Sequence, residues 1–288
     1  MRVTNQMMVN SITAQLSRQT EQMAKTQEQI MTGKRINRPS DDPAEISSVL
    51  SYRQSIASLE QYNENISDAK LYIDTVENVL GMVSDLLGEA KEIAYDTDTS
   101  QRSEMAEEVA AIREQVLQMA NYQVDGKYLF AGDATQTQPY DSTTWMYNGD
   151  AGTRDVVTGA KMQVNITADG SSIFGADTDN VFNILNDLED ALNSSDAAGI
   201  EAQIERLDSA IDTITTVRTR NAAVYQRLES VESYNDSFKI NLQDMLSNAE
   251  DADVTEAIIN FQTQQTAYES SLAVSAMIIQ KSLIDFLG

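Results

Sequence analysis

Between Tyr62 and Ala94, apolar or small residues recur at alternating intervals of four and three: Tyr62, Ile66, Ala69, Ile73, Val76, Leu80, Val83, Leu87, Ala90 and Ala94. A strand would scatter these positions over both faces, whereas a helix gathers them into one stripe. A strict heptad stripe of this length requires a near-parallel helical neighbour and a left-handed crossing. Gly81 and Gly88 weaken the helix only slightly. The rest of the fold must supply what packs against this seam.

Further heptad stripes follow along the chain. Val9, Ile12, Leu16, Gln19, Met23, Thr26 and Ile30 mark an N-terminal helix with two polar positions, and Gly33 stops it. Met105, Val109, Ile112, Val116 and Met119 mark another, ended by the turn signal Asp125-Gly126. A short helix carries Val181, Leu185, Leu188 and Leu192. A second very long one spans about residues 200–247, with Ile200, Ile204, Leu207, Ile211 and Ile214 continuing into Val217, Asn221, Val224, Leu228, Val231, Asn235, Phe238, Leu242 and Met245. The two asparagines either fix register in a buried seam or face solvent where the seam drifts. The last helix shows Val254, Ile258, Phe261, Gln265, Tyr268, Leu272, Ser275 and Ile279, then Leu283 and Phe286.

Residues 126–179 differ. They hold seven of the twelve glycines and the single tryptophan, Trp145, with the β-prone runs KYLFA, TTWMY, TRDVVT and KMQVNIT between turn residues. The expected fold is mainly α with a small β-rich insert (α+β). It is a long antiparallel coiled-coil-like bundle built from both chain ends, with a β-rich tip from the middle. Three parts are expected: terminal helices 1–42 plus 250–288, a helical rod 43–125 plus 180–249, and the insert 126–179. The terminal seams contain Gln19, Thr26, Gln265 and Ser275, so that pair buries little apolar surface and is expected to order on assembly.

The segment TGKRINRPSDDPAEI (32–46) links the first two helices. Asp42 fits an N-cap, Pro43 the first helical position and Glu45 the third, so a helix is predicted over about 43–95. Pro39 keeps Arg38 out of helical conformation. Two readings of the charges stand open. Arg35 and Arg38 pair with Asp41 and Asp42 at the surface, or Arg35, Asn37 and Arg38 meet a neighbouring subunit's acids.

Composition removes several chemistries. With no cysteine and no histidine, thiol catalysis, zinc fingers and Ser-His-Asp triads are excluded. A net charge of −25 disfavours nucleic acid as a partner. The balance is uneven, because residues 1–40 are basic, and that segment is suited to pairing with acids elsewhere in the chain. No stretch is apolar enough to cross a membrane, and the first residues lack the apolar core of a cleavable secretory signal. DTDTS (96–100) and ADTDN (176–180) lack the calcium-loop pattern, and GDAGT (149–153) lacks the phosphate-loop lysine. No catalytic, metal or cofactor site is expected, and the chain is not read as an enzyme.

Three blocks then carry a resemblance: QEQIMTGKRINRPSDDPAEI (27–46), GKYLFAG (126–132) and the C-terminal run from Glu250 to Leu287. The chain resembles the bacterial flagellin superfamily, and GKYLFAG with the short insert is most similar to its hook-associated protein 3 branch, the junction proteins between hook and filament. The likeness covers about 1–132 and 200–288, and the segment 133–178 matches nothing specific. It implies a secreted structural protein exported through the flagellar type III apparatus. It also implies self-association in a ring or short helical zone. The implied partners are hook-associated protein 1, flagellin and an export chaperone on the C-terminal helix. The expected subunit-interface residues are Val9, Ile12, Leu16, Met23, Ile30, Arg35, Asn37, Arg38, Asp41, Asp42, Phe261, Tyr268, Leu272, Ile279, Leu283 and Phe286. Two alternatives are a filament-forming flagellin with a reduced outer domain, and a carbohydrate- or metal-binding module on a helical stalk built on Tyr140, Trp145, Tyr147 and nearby Asp residues.

Overall fold

A computed structural model describes residues 5–96 and 100–287, the side chains of 5–6 and 278–287 excepted. In chain order the elements are α1 (Asn5–Thr32), α2 (Ile46–Tyr95), α3 (Arg102–Ala120), β1 (Gln123–Val124), β2 (Lys127–Tyr128), β3 (Asp155–Gly159), β4 (Met162–Asn165), α4 (Gly170–Phe174), α5 (Val181–Asn193), α6 (Ala197–Glu250) and α7 (Val254–Leu287). They divide into two compact units: Leu59–Ser237, and Met1–Ser58 with Phe238–Gly288. The chain is mainly helical with small antiparallel sheets, as the heptad stripes and the glycine-rich middle require.

In the unit Leu59–Ser237 the seam of α2 behaves as its periodicity demands. Every position from Ile66 to Ala94 on it is buried, and Tyr62 is half-buried. Its neighbour is α6, which runs antiparallel: Lys70 pairs with Glu232, Glu77 with Arg218, and Lys91 with Asp208. One apolar cluster joins Val76–Ala94 of α2 to Val109, Ile112 and Val116 of α3, Leu185 and Leu188 of α5, and Leu207 and Ile214 of α6. A second joins Ile66, Ala69 and Ile73 to Leu228 and Val231, with Val164 of β4 and the following Ile166 laid across them.

Both seam asparagines point inward, but only one is satisfied. Asn235 is 3% exposed and its amide donates to Asn63 Oδ1 (3.1 Å) and to the Thr158 carbonyl (3.2 Å). It therefore ties α6 to α2 and to β3. Asn221 is half-buried, and its amide nitrogen is buried without a partner. Beyond Asn235 the stripe drifts, leaving Phe238 and Met245 exposed while Leu242 stays buried.

The segment 126–179 has less strand than its sequence predicts. TRDVVT and KMQVNIT form the β3–β4 hairpin, but KYLFA adds two residues to β2 and TTWMY adds none to a strand. The Asp141 carboxylate explains the latter: it accepts from the amides of Thr143 (2.8 Å) and Thr144 (2.7 Å) and closes a turn instead. Asp125 and Gly126 do not end α3, which stops at Ala120. They make the β1–β2 turn, with φ of 51° and 74°, the left-handed pair a two-residue hairpin needs. The aromatic residues go inward. Phe174 and Phe182 pack against the fully buried Tyr140, and Phe130 packs edge-on against Phe174; the Tyr140 hydroxyl lies 2.8 Å from the carbonyls of both Gly170 and Gly175. Trp145 lies under the Arg113 guanidinium. A sugar-stacking platform needs these rings exposed, so the carbohydrate part of that alternative loses its basis.

Candidate assembly interface

In the unit formed by Met1–Ser58 and Phe238–Gly288, α1 and α7 pack lengthwise. From α1 the predicted stripe turns inward: Ile12, Leu16, Gln19, Met23 and Ile30 are half-buried and Thr26 is buried, whereas Val9 is exposed. The facing stripe on α7 is Ala257, Phe261, Gln264, Tyr268, Ser271 and Ser275. It shares Phe261, Tyr268 and Ser275 with the predicted line but replaces Ile258, Gln265 and Leu272, which are exposed. Hydrogen bonding accounts for the change of phase. Gln19 donates to the Ser271 hydroxyl (3.3 Å) and Thr26 to Gln264 Oε1 (3.2 Å). Had apolar residues faced α1 there, Gln19 would lose its partner on α7 and Thr26 would keep only its bond to the Gln22 carbonyl (3.0 Å).

The result is a pair with a mixed seam. Ser, Thr and Gln interrupt its apolar line, while Val254, Ile258, Ile259, Val274 and Leu272, itself 43% exposed, lie outside. Met7, Met8 and Met31 are exposed on α1. Isolated surface aliphatics are ordinary, but a helix pair with this many apolar residues on its outer side has the character of a surface that becomes covered. Ile279, Leu283 and Phe286 fall outside the residues whose side chains are described.

The link between α1 and α2 forms a charged joint with the α6–α7 break. Gly33, at φ 70°, closes α1, and its carbonyl accepts from the Ala252 amide (2.9 Å). The Arg35 amide donates to the Glu250 carbonyl (2.6 Å). The Glu250 side chain, residue exposure 1%, pairs with both Lys34 and Arg53. Burial alone would raise its pKa, but the two cations outweigh that and hold it below the ordinary carboxylate value. Ile36 is buried at the same place.

Around this joint the predicted residues come together, though not all in the expected pairs. Arg35 donates to Asp42 (2.8 Å) and to the Ala249 carbonyl (2.7 Å). Arg38 pairs with Glu28 (3.2 Å) and not with the side chains of Asp41 or Asp42. Asp41 takes Lys25 (3.0 Å) and accepts from the amides of Asn37 (3.1 Å) and Arg38 (2.8 Å). Hydrogen bonding from Lys25 and Arg35 respectively lowers the pKa of Asp41 and Asp42. Asp42 caps as expected, accepting from the amides of Ala44 and Glu45 (both 3.2 Å), although a turn over 43–45 delays regular helix until Ile46. The side chains missed from sequence are Lys25, Ile36, Arg53 and Glu250. The charge imbalance between residues 1–40 and the remainder was a signal for Lys25 and Glu250 only.

Comparison with known proteins agrees with this architecture. The bacterial flagellin N-terminal helical region matches residues 3–135, and the flagellin C-terminal helical region matches residues 204–287. Flagellar hook-associated protein 3 of Salmonella typhimurium is 27% identical, over 94% of this chain and 95% of that protein. Flagellin of Bacillus subtilis is 25% identical, over 98% of this chain and 97% of that one. The crystal structure of flagellar hook-associated protein 3 from Legionella pneumophila has the same fold, with a TM-score of 0.63 and 14% identity over 69% of this chain and 98% of that one. With both helical regions matched at the two ends of the chain, where the structure places α1–α3 and α6–α7, this protein belongs to the bacterial flagellin family.

Proposed function

We propose that the chain is a structural adapter of the bacterial flagellum, joining hook to filament by self-association in a ring or short helical zone. The α1–α7 pair carries this reading. A helix pair whose seam is interrupted by polar residues and whose outer face carries apolar ones is marginal alone, and it gains by being covered. In this reading the terminal part, 1–42 with 250–288, orders on assembly. Val9, Ile12, Leu16, Met23 and Ile30 of α1 and Phe261, Tyr268, Leu272, Ile279, Leu283 and Phe286 of α7 lie at or beside subunit contacts. The elbow residues Arg35, Asn37, Arg38, Asp41 and Asp42 hold the two chain breaks in register for those contacts.

The relatives named hook-associated protein 3 support the junction role over that of a bulk filament subunit. The partners are then hook-associated protein 1 on one side and flagellin on the other. An export chaperone holds the C-terminal helix before secretion through the type III apparatus, with no role for nucleic acid, membrane insertion or catalysis. Deletion of the gene in the parent cell tests this. The expected phenotype is intact hooks without filaments and unpolymerised flagellin in the medium. Filaments of normal length in the deletion strain would refute the junction role.

A further inference from the structure

In the unit Leu59–Ser237, α2 and α3 leave an open groove of about 390 Å³ floored by Met82, Leu86 and Met119. Its α2 rim carries Asp85 and Glu89, with Glu92 one turn further on, all exposed. These like charges stand at spacings of four and three on one face, so they repel one another in the isolated chain. Met82 is 45% exposed, and among the described residues nothing else covers the floor.

The complementary surface lies on α6 of the same unit. Arg220 and Arg227 are exposed, and among the described residues neither makes an ion pair. That is unusual in a chain with 45 acidic and 20 basic residues. No carboxylate stands three or four residues from either along the helix. Between and beside them the outer face is short: Thr216, Ala223 and Ser230. The two arginines are one heptad apart, about 10.5 Å along the axis at 1.5 Å per residue, which is also the separation of Asp85 and Glu92.

We infer that the methionine-floored acidic groove of α2–α3 receives the arginine face of α6 from a second copy of this chain. Ala223 lies over the apolar floor, and Arg220 and Arg227 reach the carboxylates at its rim. Groove and stripe are different surfaces, so the contact is head-to-tail and extends from copy to copy into a ring or helical zone. The inference rests on the self-association proposed above and assigns it a contact outside the terminal helices.

The chain has no cysteine, so a Gln118→Cys/Ala223→Cys variant can be oxidised cleanly on isolated flagella and read on a denaturing gel. A ladder of disulfide-linked dimers, trimers and higher species is expected, and either single variant should stay monomeric. A monomer band alone from the double variant, in cells whose filaments remain attached, would overturn this contact and leave the adapter role standing. As a second measure, Arg220→Glu/Arg227→Glu should reduce incorporation into flagella at least tenfold, and adding Asp85→Lys/Glu92→Lys should restore it. Undiminished incorporation of the first variant would also overturn the contact. Loss of the adapter role itself would appear separately, as normal filaments in the deletion strain.

Discussion

Asn235 and Asn221 occupy the same seam of α6 but should respond oppositely to replacement. Asn235→Ala removes the donor that serves Asn63 and the Thr158 carbonyl. Thr158 is fully buried, so its carbonyl is left without that partner, whereas the Asn63 oxygen, also freed, belongs to a half-buried residue that water can reach. One stranded buried acceptor costs about 1–3 kcal/mol, and lost side-chain packing adds to it, for a total of about 2–3 kcal/mol. In a unit of this size that lowers Tm by about 5–10 °C and the urea midpoint by about 1 M. Asn221→Leu removes a buried amide that already lacks a partner and adds apolar surface to the seam. It should be neutral or stabilise by up to about 1 kcal/mol. Trp145 is the only tryptophan and lies in this unit, so its fluorescence during urea unfolding follows the relevant transition alone. The reasoning is refuted if Asn235→Ala shifts stability by less than about 0.5 kcal/mol, or if Asn221→Leu destabilises as much as Asn235→Ala does.

Three further tests address the terminal unit. Leu272→Asp leaves the isolated chain as stable as the parent, because Leu272 is exposed there, but it should abolish incorporation into flagella, where a carboxylate would have to be desolvated. Normal incorporation would count against burial of that face. Glu250→Gln should loosen the joint by about 1–2 kcal/mol, since two charge-assisted bonds to half-exposed cations become neutral ones; the readout is faster amide exchange at Arg35 and Ala252 in assembled material, with no change across Ile73–Leu87. Because the pKa of Glu250 is lowered on folding, the joint's charge contribution is fully present above the ordinary glutamate value, about 4.5, and declines as pH falls through the lower folded value. Parent flagella should therefore show this loosening on acidification and the Glu250→Gln variant should not; equal acid sensitivity in both would assign the effect to other carboxylates.

The parts of the fold set by local periodicity were legible. The α2 seam follows from spacing alone, because every residue on it is apolar or small and one helix face can hold them all. The phase of α7 was not legible. Gln264 and Ser271 are unremarkable in a hydrophobicity pattern, and only the partners they offer Thr26 and Gln19 favour them over Gln265 and Leu272. The cap at Asp42 was visible in sequence because Asp-Pro-x-Glu acts within one turn. Glu250 was not, since its partners Lys34 and Arg53 lie about 200 residues away, and no local rule connects them. The strand expectation for TTWMY failed for a local reason: β-propensity ranks lower than a carboxylate that can bond the next two amides.

Amide hydrogen exchange of α1 and α7, measured on the free chain and on assembled flagella, tests the central claim most directly. The α1–α7 pair should exchange nearly freely across Val9–Ile30 and Val254–Leu283 in the monomer, while Ile73–Leu87 is protected, and both terminal segments should become protected on assembly. Full protection of α1 and α7 in the monomer would contradict the claim that these helices are completed by their neighbours.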